Sequence, residues 1–381
     1  MRRSVACTTA SADGSSLQLV WNDGTRSDFA SMWLRDNLPE DRDAFSGQRL
    51  IDVTQLPVDP QIRSAQLIDD DVRIAWQNEA RVSTIALAWL YDQAHREPVR
   101  PELEIRRWLD GAELDPRSDF AWQVKSTLRA SPSDRLAWLT RLLQDGIAFM
   151  SEVPPVEAGI LKAMTLVGRI AETNYGLVFN VRVVPEPENL AYSDLGLGLH
   201  TDNPYREPVP GFQALHVLVA APDGGDSVFA DGYALAEHLR RTDPEAFTIL
   251  TRTAVPFAYR SRDADLYAER PLIELGCTGA VAAVHYNSRS IAPLRLAAPD
   301  CAAFYAAYRR FAELLRKPQF QASTRLANAD LVVFDNRRIL HGRSAFVSRR
   351  HPRHLRGCYL TRDSVYSETA LLRGRLEAGT Q

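Results

Sequence analysis

Cysteine is scarce and unpatterned. The 381 residues hold four, Cys7, Cys277, Cys301 and Cys358, without any C-x-x-C spacing, which argues against a zinc or disulfide framework and for reduced or incidental thiols. Long apolar runs are also missing. None approaches the roughly 18 residues that a membrane span requires, so no membrane association is expected. Neither sign of charge prevails, because 45 Lys and Arg stand against 48 Asp and Glu for a formal net charge of −3. Nucleic acid is therefore not expected as a partner, since it demands a basic excess. The opening Met1-Arg2-Arg3-Ser4-Val5-Ala6-Cys7 lacks the apolar region of a secretory signal, and a cytoplasmic location is expected. There is no internal repeat and no low-complexity tract.

Hydrophobic residues make up 45% of the chain, enough for a sizeable core, and the length suits two domains. Residues 1–100 read as a small β-rich domain and 101–381 as a second, larger one. In the first, Asn22-Asp23-Gly24 is a hairpin turn joining Ser16–Trp21 to 25–29. Asp71–Trp76 and 80–83 read as a further strand pair, and 85–94 has helical spacing with Leu87 and Tyr91 on one face. Trp33-Leu34-Arg35-Asp36-Asn37 reads either as a buried strand-end corner or as a contact to the next domain.

Pro98, Pro101, Pro116 and many charges mark 96–130 as a linker. Ser131-Pro132 then opens a helix, with Ser131 as N-cap, Leu136, Leu139, Leu142 and Leu143 on one face, and Gly146 past the end. A short buried strand is expected at 147–150, and an amphipathic helix at 156–171 with Ile160, Met164, Val167 and Ile170 inward. After Gly176 the pattern turns to β, with strands at 212–220 and 224–230 and helices at 234–241, 244–251 and Ala298–Leu315. Short strands enclosing a central site predict an α+β, mainly β fold: a double-stranded β-helix, or jelly roll, with helical inserts.

The residues that carry chemistry centre on Leu199-His200-Thr201-Asp202. An imidazole and a carboxylate two apart lie on the same side of a strand or strand end, so both reach one small ion. Far downstream, Leu331-Val332-Val333-Phe334-Asp335 leads to a second histidine, His341. Two histidines and one carboxylate form the facial set that holds non-heme Fe(II) and leaves positions open. Twelve positions past His341 stands Arg353, which on a returning strand could grip a dicarboxylate through its guanidinium. Asp335-Asn336 either orients the ligand histidine or caps the strand end. His216 alternates with apolar residues and reads as core, the role of His285 is open, and His238, His351 and His354 read as peripheral.

On these residues the chain resembles the iron(II)/2-oxoglutarate dioxygenases of the taurine dioxygenase-like group, nearest the γ-butyrobetaine dioxygenases, and the resemblance covers nearly the whole length. It implies Fe(II) held by His200, Asp202 and His341, with 2-oxoglutarate as co-substrate, dioxygen as oxidant and ascorbate as a stimulant. Arg353 and Ser227 would fix the far carboxylate of the co-substrate; from the residues alone, Ser227 is a turn residue of Gly224-Gly225-Asp226-Ser227. The resemblance further implies a cage of Tyr175, Phe179, Tyr192 and Tyr359 around a quaternary ammonium, with Phe179 standing where relatives have tryptophan. Asn189 and Asn287 would meet the anionic end as neutral donors. Arg289 either points inward, favouring a more highly charged head group such as a phosphonate, or outward as a solvated charge.

In many relatives the segment matching Trp33–Asn37 is followed by three cysteines that bind zinc with a later histidine. Here Leu38-Pro39-Glu40-Asp41 follows, and Arg81 stands near the histidine's place. The zinc is expected to be lost, with polar contacts holding the loop. A homodimer is implied, as is a small-molecule quaternary ammonium substrate. The expected reaction is hydroxylation of a small trimethylammonium zwitterion, γ-butyrobetaine to carnitine as first choice. Alternatives are 2-(trimethylammonio)ethylphosphonate, trimethyllysine or, in another class, a non-catalytic betaine-binding sensor.

Overall fold

The computed structural model describes residues 5–11, 13–95, 104–109, 131–183, 194–346 and 353–379. The chain divides into two compact units, Met1–Glu102 and Leu103–Gln381.

The smaller unit contains β1 (Val5–Ala10), β2 (Ser16–Trp21), β3 (Arg26–Ala30), α1 (Ser31–Asp36), β4 (Ile62–Ile68), β5 (Asp71–Trp76), β6 (Val82–Ala86) and α2 (Leu87–His95). It forms two three-stranded antiparallel sheets, β1-β2-β3 and β4-β5-β6. Gly24, at φ +84°, closes the β2–β3 hairpin where side chains other than glycine are strained. Leu17, Leu19 and Trp21 alternate inward along β2, and Val72, Ile74 and Trp76 do the same along β5, to make one core.

Two expectations for this unit change. Ile85 belongs to β6, paired with Val72, because Ser83 and Ile85 are buried at a period of two; the helix begins only at Leu87. Trp33–Asn37 is not a strand-end corner. It lies mostly in the short helix α1, where Trp33 stacks between Phe29 and Trp89, each ring 5.5 Å away.

The next residue but one, Arg35, organises the loop that follows α1. Its buried guanidinium bonds Asp41 at 2.7 Å and Glu79 at 3.0 Å, while Arg81 reaches Asp41 at 2.9 Å. Two cations and two carboxylates thus cross-link the loop through side chains drawn from α1, the 39–41 turn and the 79–81 turn. Breaking such a pair from one side strands its partners in low dielectric. Arg35→Ala should therefore cost about 3 kcal/mol, whereas a chelator should leave the unfolding transition of this unit unchanged; one tightly held zinc per chain in this unit by elemental analysis would contradict the account.

The larger unit runs α3 (Pro132–Asp145), β7 (Ile147–Met150), α4 (Gly159–Met164), β8 (Ile170–Ala171), β9 (Phe179–Arg182), β10 (Leu197–His200), β11 (Phe212–Val219), β12 (Ser227–Asp231), α5 (Gly232–Thr242), α6 (Pro244–Arg252), β13 (Val255–Arg260), β14 (Asp265–Arg270), β15 (Ile273–Leu275), β16 (Val281–Val284), α7 (Ala298–Leu315), β17 (Ala322–Thr324), β18 (Leu331–Asp335), β19 (Ile339–Arg343), β20 (His354–Leu360) and α8 (Arg362–Gly379). Two antiparallel sheets form the double-stranded β-helix. One has the order β7-β18-β11-β20-β8, with β9 also on β20; the other is β10-β19-β12-β17.

Local chemistry sets the element ends. Ser131 accepts from Asp134 N to start α3, and Gly146 ends it in the left-handed region. Asp231 caps α5 by accepting from Tyr233 N and Ala234 N. The same carboxylate holds Arg338, which is 2% exposed, through bonds of 2.7 and 3.1 Å, and Arg338 also donates to the carbonyls of Gln144 and Arg106. This fixes the turn that feeds β19.

The helix expected over 156–171 is interrupted. Only Gly159–Met164 is α-helical, and Ile170 and Ala171 instead pair with Leu360 and Tyr359. Gly168 makes the break useful, since a Cβ there would lie 2.7 Å from Ser364 Oγ. Of the stretch read as linker, only 104–109 is described, and there it packs into the larger unit. Trp108 joins Ile147, Phe149 and Phe334 in a buried cluster, and its indole donates to Asp145 O at 3.1 Å.

Candidate active site

β10 and β19 are antiparallel neighbours, and their register sets His200 opposite His341. The imidazole centroids are 4.3 Å apart. His200 Nδ1 lies 2.9 Å from Gly198 O, which leaves its Nε2 to face Asp202 Oδ1 at 3.2 Å; His341 Nε2 faces Asp202 Oδ2 at 3.9 Å. One ligand atom from each of the three residues lies within 4.8 Å of the others.

Electrostatics suits this cluster to a cation. Burial, and then the charge of the neighbouring His200, push the His341 imidazole down to about 3, so its lone pair is free at neutral pH. Burial raises the Asp202 carboxyl, but the hydrogen bond from His200, both imidazoles and the Tyr359 hydroxyl outweigh it and hold the group below the usual carboxylate range. Nitrogen, nitrogen and an anionic oxygen from one face are the donor set of a non-heme Fe(II) centre, and the residues fit that ion.

The triad opens into a cavity of about 300 Å³. At one end stand Arg353 and Ser227, both buried. No carboxylate among the described residues pairs with Arg353. Burial, and then the proximity of Arg343, push its guanidinium down to about 10, so an unpartnered buried cation faces the cavity. Such a group is costly until an anion joins it, which suits the far carboxylate of a dicarboxylic acid.

At the other side aromatic rings line the wall. Tyr175 and Phe179 lie 6.2 Å apart, and Phe179 and Tyr359 lie 5.2 Å apart. Phe179 rests on the backbone of Gly357, where a Cβ would come within 2.4 Å of its ring. Tyr359 has a second attachment that its ring alone did not suggest: its hydroxyl donates to Asp202 Oδ2 at 2.8 Å. Asn189 and Tyr192 lie outside the described residues. Asn287 lines the cavity, with its Nδ2 donating to Thr201 O and its Oδ1 accepting from Arg289 N. Arg289 lines the same cavity from an open position; surrounding protein lowers its guanidinium from the usual value, while Asp202 and then Tyr205 act the other way.

Lining residues that the sequence did not single out include Gln213, Tyr205, Tyr259 and Arg343. Arg343 was legible, because it follows His341 by two on one strand and must share its face. Tyr205 stacks on Tyr259 at 5.1 Å, a pairing across β13 that no local pattern announces. Asn336, expected to orient a histidine or cap a strand, instead holds the backbone of Asp202 on both sides. His285 bonds Glu274 at 2.9 Å and does not line the cavity, and His216 is buried core with Nε2 at 3.2 Å from Val153 O.

A double-stranded β-helix with a facial His-Asp-His cluster and a buried arginine at the far end of one cavity defines a metal-dependent oxygenase of the 2-oxoglutarate type. Comparison with known proteins agrees. The model of the taurine catabolism dioxygenase TauD, TfdA family matches residues 114–359, and that of the gamma-butyrobetaine hydroxylase-like N-terminal domain matches residues 8–91. The gamma-butyrobetaine dioxygenase of Pseudomonas sp. (strain AK-1) is 33% identical, over 96% of this chain and 95% of that protein. The gamma-butyrobetaine dioxygenase of Homo sapiens is 30% identical, over 98% of this chain and all of that protein. Among solved structures, AAD-2 in complex with Mn(II) and N-oxalylglycine shares the fold, with a TM-score of 0.50 at 15% identity, covering 61% of this chain and 90% of that one.

The chain belongs to the TauD, TfdA dioxygenase family and carries a gamma-butyrobetaine hydroxylase-like N-terminal domain. It is an Fe(II)- and 2-oxoglutarate-dependent dioxygenase. No helix among the described residues is long and apolar enough to cross a membrane. Replacing Asp202 with Ala removes the sole anionic ligand of the triad, so Fe(II) binding and turnover should both be lost while the thermal transition stays near that of the parent. Parent-like Fe(II) affinity in that variant would refute the triad.

Proposed function

We propose that the protein hydroxylates a small trimethylammonium zwitterion, with γ-butyrobetaine, converted to carnitine, as the first choice, acting in the cytoplasm as a homodimer. The observation that carries this reading is a wall of aromatic faces from Tyr175, Phe179 and Tyr359 beside the triad, in a cavity that also holds Asn287 and Arg289. Ring faces attract a quaternary ammonium through their quadrupoles, and each contributes about 0.5–2 kcal/mol. Relatives named gamma-butyrobetaine dioxygenase support the substrate class, and the shared family sets aside a non-catalytic sensor.

His200, Asp202 and His341 would hold Fe(II), which together with 2-oxoglutarate and dioxygen supplies the oxidant that replaces one substrate C–H by C–OH, releasing succinate and carbon dioxide. What the chain's own residues do is binding and placement. Arg353 and Ser227 anchor the co-substrate's outer carboxylate and so fix which end of it reaches the triad. The aromatic wall and the Asn287 end grip the two poles of the substrate, so that the distance between them selects the carbon presented. Leu197, Leu215, Phe229 and Leu355 add apolar surface to the cavity wall.

One observation favours a second substrate. Arg289 lines the cavity without an ion-pair partner among the described residues, which suits a head group of higher charge, such as the phosphonate of 2-(trimethylammonio)ethylphosphonate. A turnover screen of trimethylammonium compounds ending in carboxylate or phosphonate, read by mass spectrometry for one added oxygen, decides between them. Arg289→Ala should impair the phosphonate more than the carboxylate; equal effects would remove the reason for preferring the former.

The cage has its own test. Tyr175→Leu keeps apolar bulk but removes a ring face, and affinity for a trimethylammonium ligand should fall a few-fold to about thirty-fold. Affinity for 2-oxoglutarate should hold. An isostere with tert-butyl in place of trimethylammonium should bind the parent poorly; if it binds as well as the cation, the pocket reads shape rather than charge.

A further inference from the structure

Beyond His200 the chain leaves β10 and does not rejoin a strand until Phe212. The backbone groups of Thr201 and Asp202 therefore have no ladder to satisfy them, although Thr201 is 1% exposed. Their partners come from two other places. From the segment after β16, Tyr286 O accepts from Thr201 N at 2.8 Å, Tyr286 N donates to Thr201 Oγ1 at 3.0 Å, and Asn287 Nδ2 donates to Thr201 O at 3.1 Å. From the turn between β18 and β19, Asn336 Oδ1 accepts from Asp202 N at 2.7 Å, and Asn336 Nδ2 donates to Asp202 O at 3.0 Å and Pro210 O at 3.2 Å.

Both asparagines are buried, and Asn336 is itself anchored through its own N–H to Gly211 O at 2.9 Å. Of the four backbone polar groups on Thr201 and Asp202, three thus end on asparagine amides. An amide is the side chain that fits the Asn336 position, because it must accept from an N–H and donate to two carbonyls at once. The residue just past the clamp, Asn203, sits in the left-handed region at φ +53°. That conformation persists in a non-glycine residue when the surroundings over-determine it.

We propose that Asn287 and Asn336 are positioning residues for the metal centre: together they lock the peptide that carries Asp202, and Asn287 thereby ties the anionic end of the cavity to the metal loop. A carboxylate on a free loop can turn away from the two imidazoles. Held at both its N–H and its C=O, Asp202 keeps its oxygens at 3.2 and 3.9 Å from them. This gives Asn287 work to do before any substrate arrives. The inference rests on the triad as an Fe(II) site and is independent of which substrate is turned over.

The test is anaerobic Fe(II) titration of the full-length protein without substrate, alongside thermal unfolding of the metal-free form. Asn287→Ala and Asn336→Ala should each weaken Fe(II) binding about 10–100-fold. Asn336→Asp keeps the acceptor but loses both donors, and should stay weak. Parent-like Fe(II) affinity in the folded Asn287 and Asn336 variants, with only the melting temperature lowered, would overturn the proposal by reducing both residues to structural parts. Should Asn336→Ala fail to fold, Asn287→Ala decides alone.

Discussion

The pairing of β10 with β19 is the constraint on which the rest depends. It sets His200 against His341 in register although the two are separated by most of the larger unit, and β12 pairs on the other side of β19 so that Phe229 also faces His341. A slip of one residue would turn every side chain of β19 to the opposite face. Both His341 and Arg343 would then leave the cavity. The buried pair of Arg338 with Asp231 resists such a slip, because it fastens the turn before β19 to the end of β12 and to the carbonyl of Gln144 near the end of α3.

Charge in the cavity is arranged so that each end lacks what its ligand brings. Near the triad, the Asp202 carboxylate, held below the usual carboxylate range, faces the His341 imidazole, whose own value is pushed well down, and this leaves an anionic site for a cation. At the opposite end Arg353 is a buried cation with no acidic partner among the described residues, which leaves a cationic site for an anion. Folding bears the cost of both, and binding recovers it, so affinity for metal and co-substrate is built into the fold. Tyr359 links this arrangement to the aromatic wall, since one residue gives its hydroxyl to Asp202 and its ring to the surface beside Phe179.

Small domains often need cross-links to hold loops that a limited core cannot. Here Arg35 bridges Asp41 and Glu79, and Arg81 adds a second cation on Asp41. Ion pairs of this kind are directional, so they can fix the path of the loop as a metal would, without a redox-sensitive thiol.

By itself the sequence determined much of this protein. The H-x-D pair, His341 and Arg353 stood out as candidate metal and anion-binding residues because their side-chain types suit that chemistry, and the fold brings the first three together. Alternation in Ser16–Trp21 and Asp71–Trp76, the Asn22-Asp23-Gly24 turn, and the Ser131 and Gly146 boundaries named elements because their causes lie within a few residues. Only the tertiary structure decided the rest. That Ile170 and Ala171 form a strand is set by Leu360 and Tyr359 across a sheet, that Tyr259 joins the wall is set by stacking on Tyr205, and that Asn336 serves Asp202 is set by the β18–β19 turn meeting the metal loop. In each of these cases the partner that fixes the residue's role is remote in sequence, and local propensity carries no record of a contact that exists only once the sheets have closed.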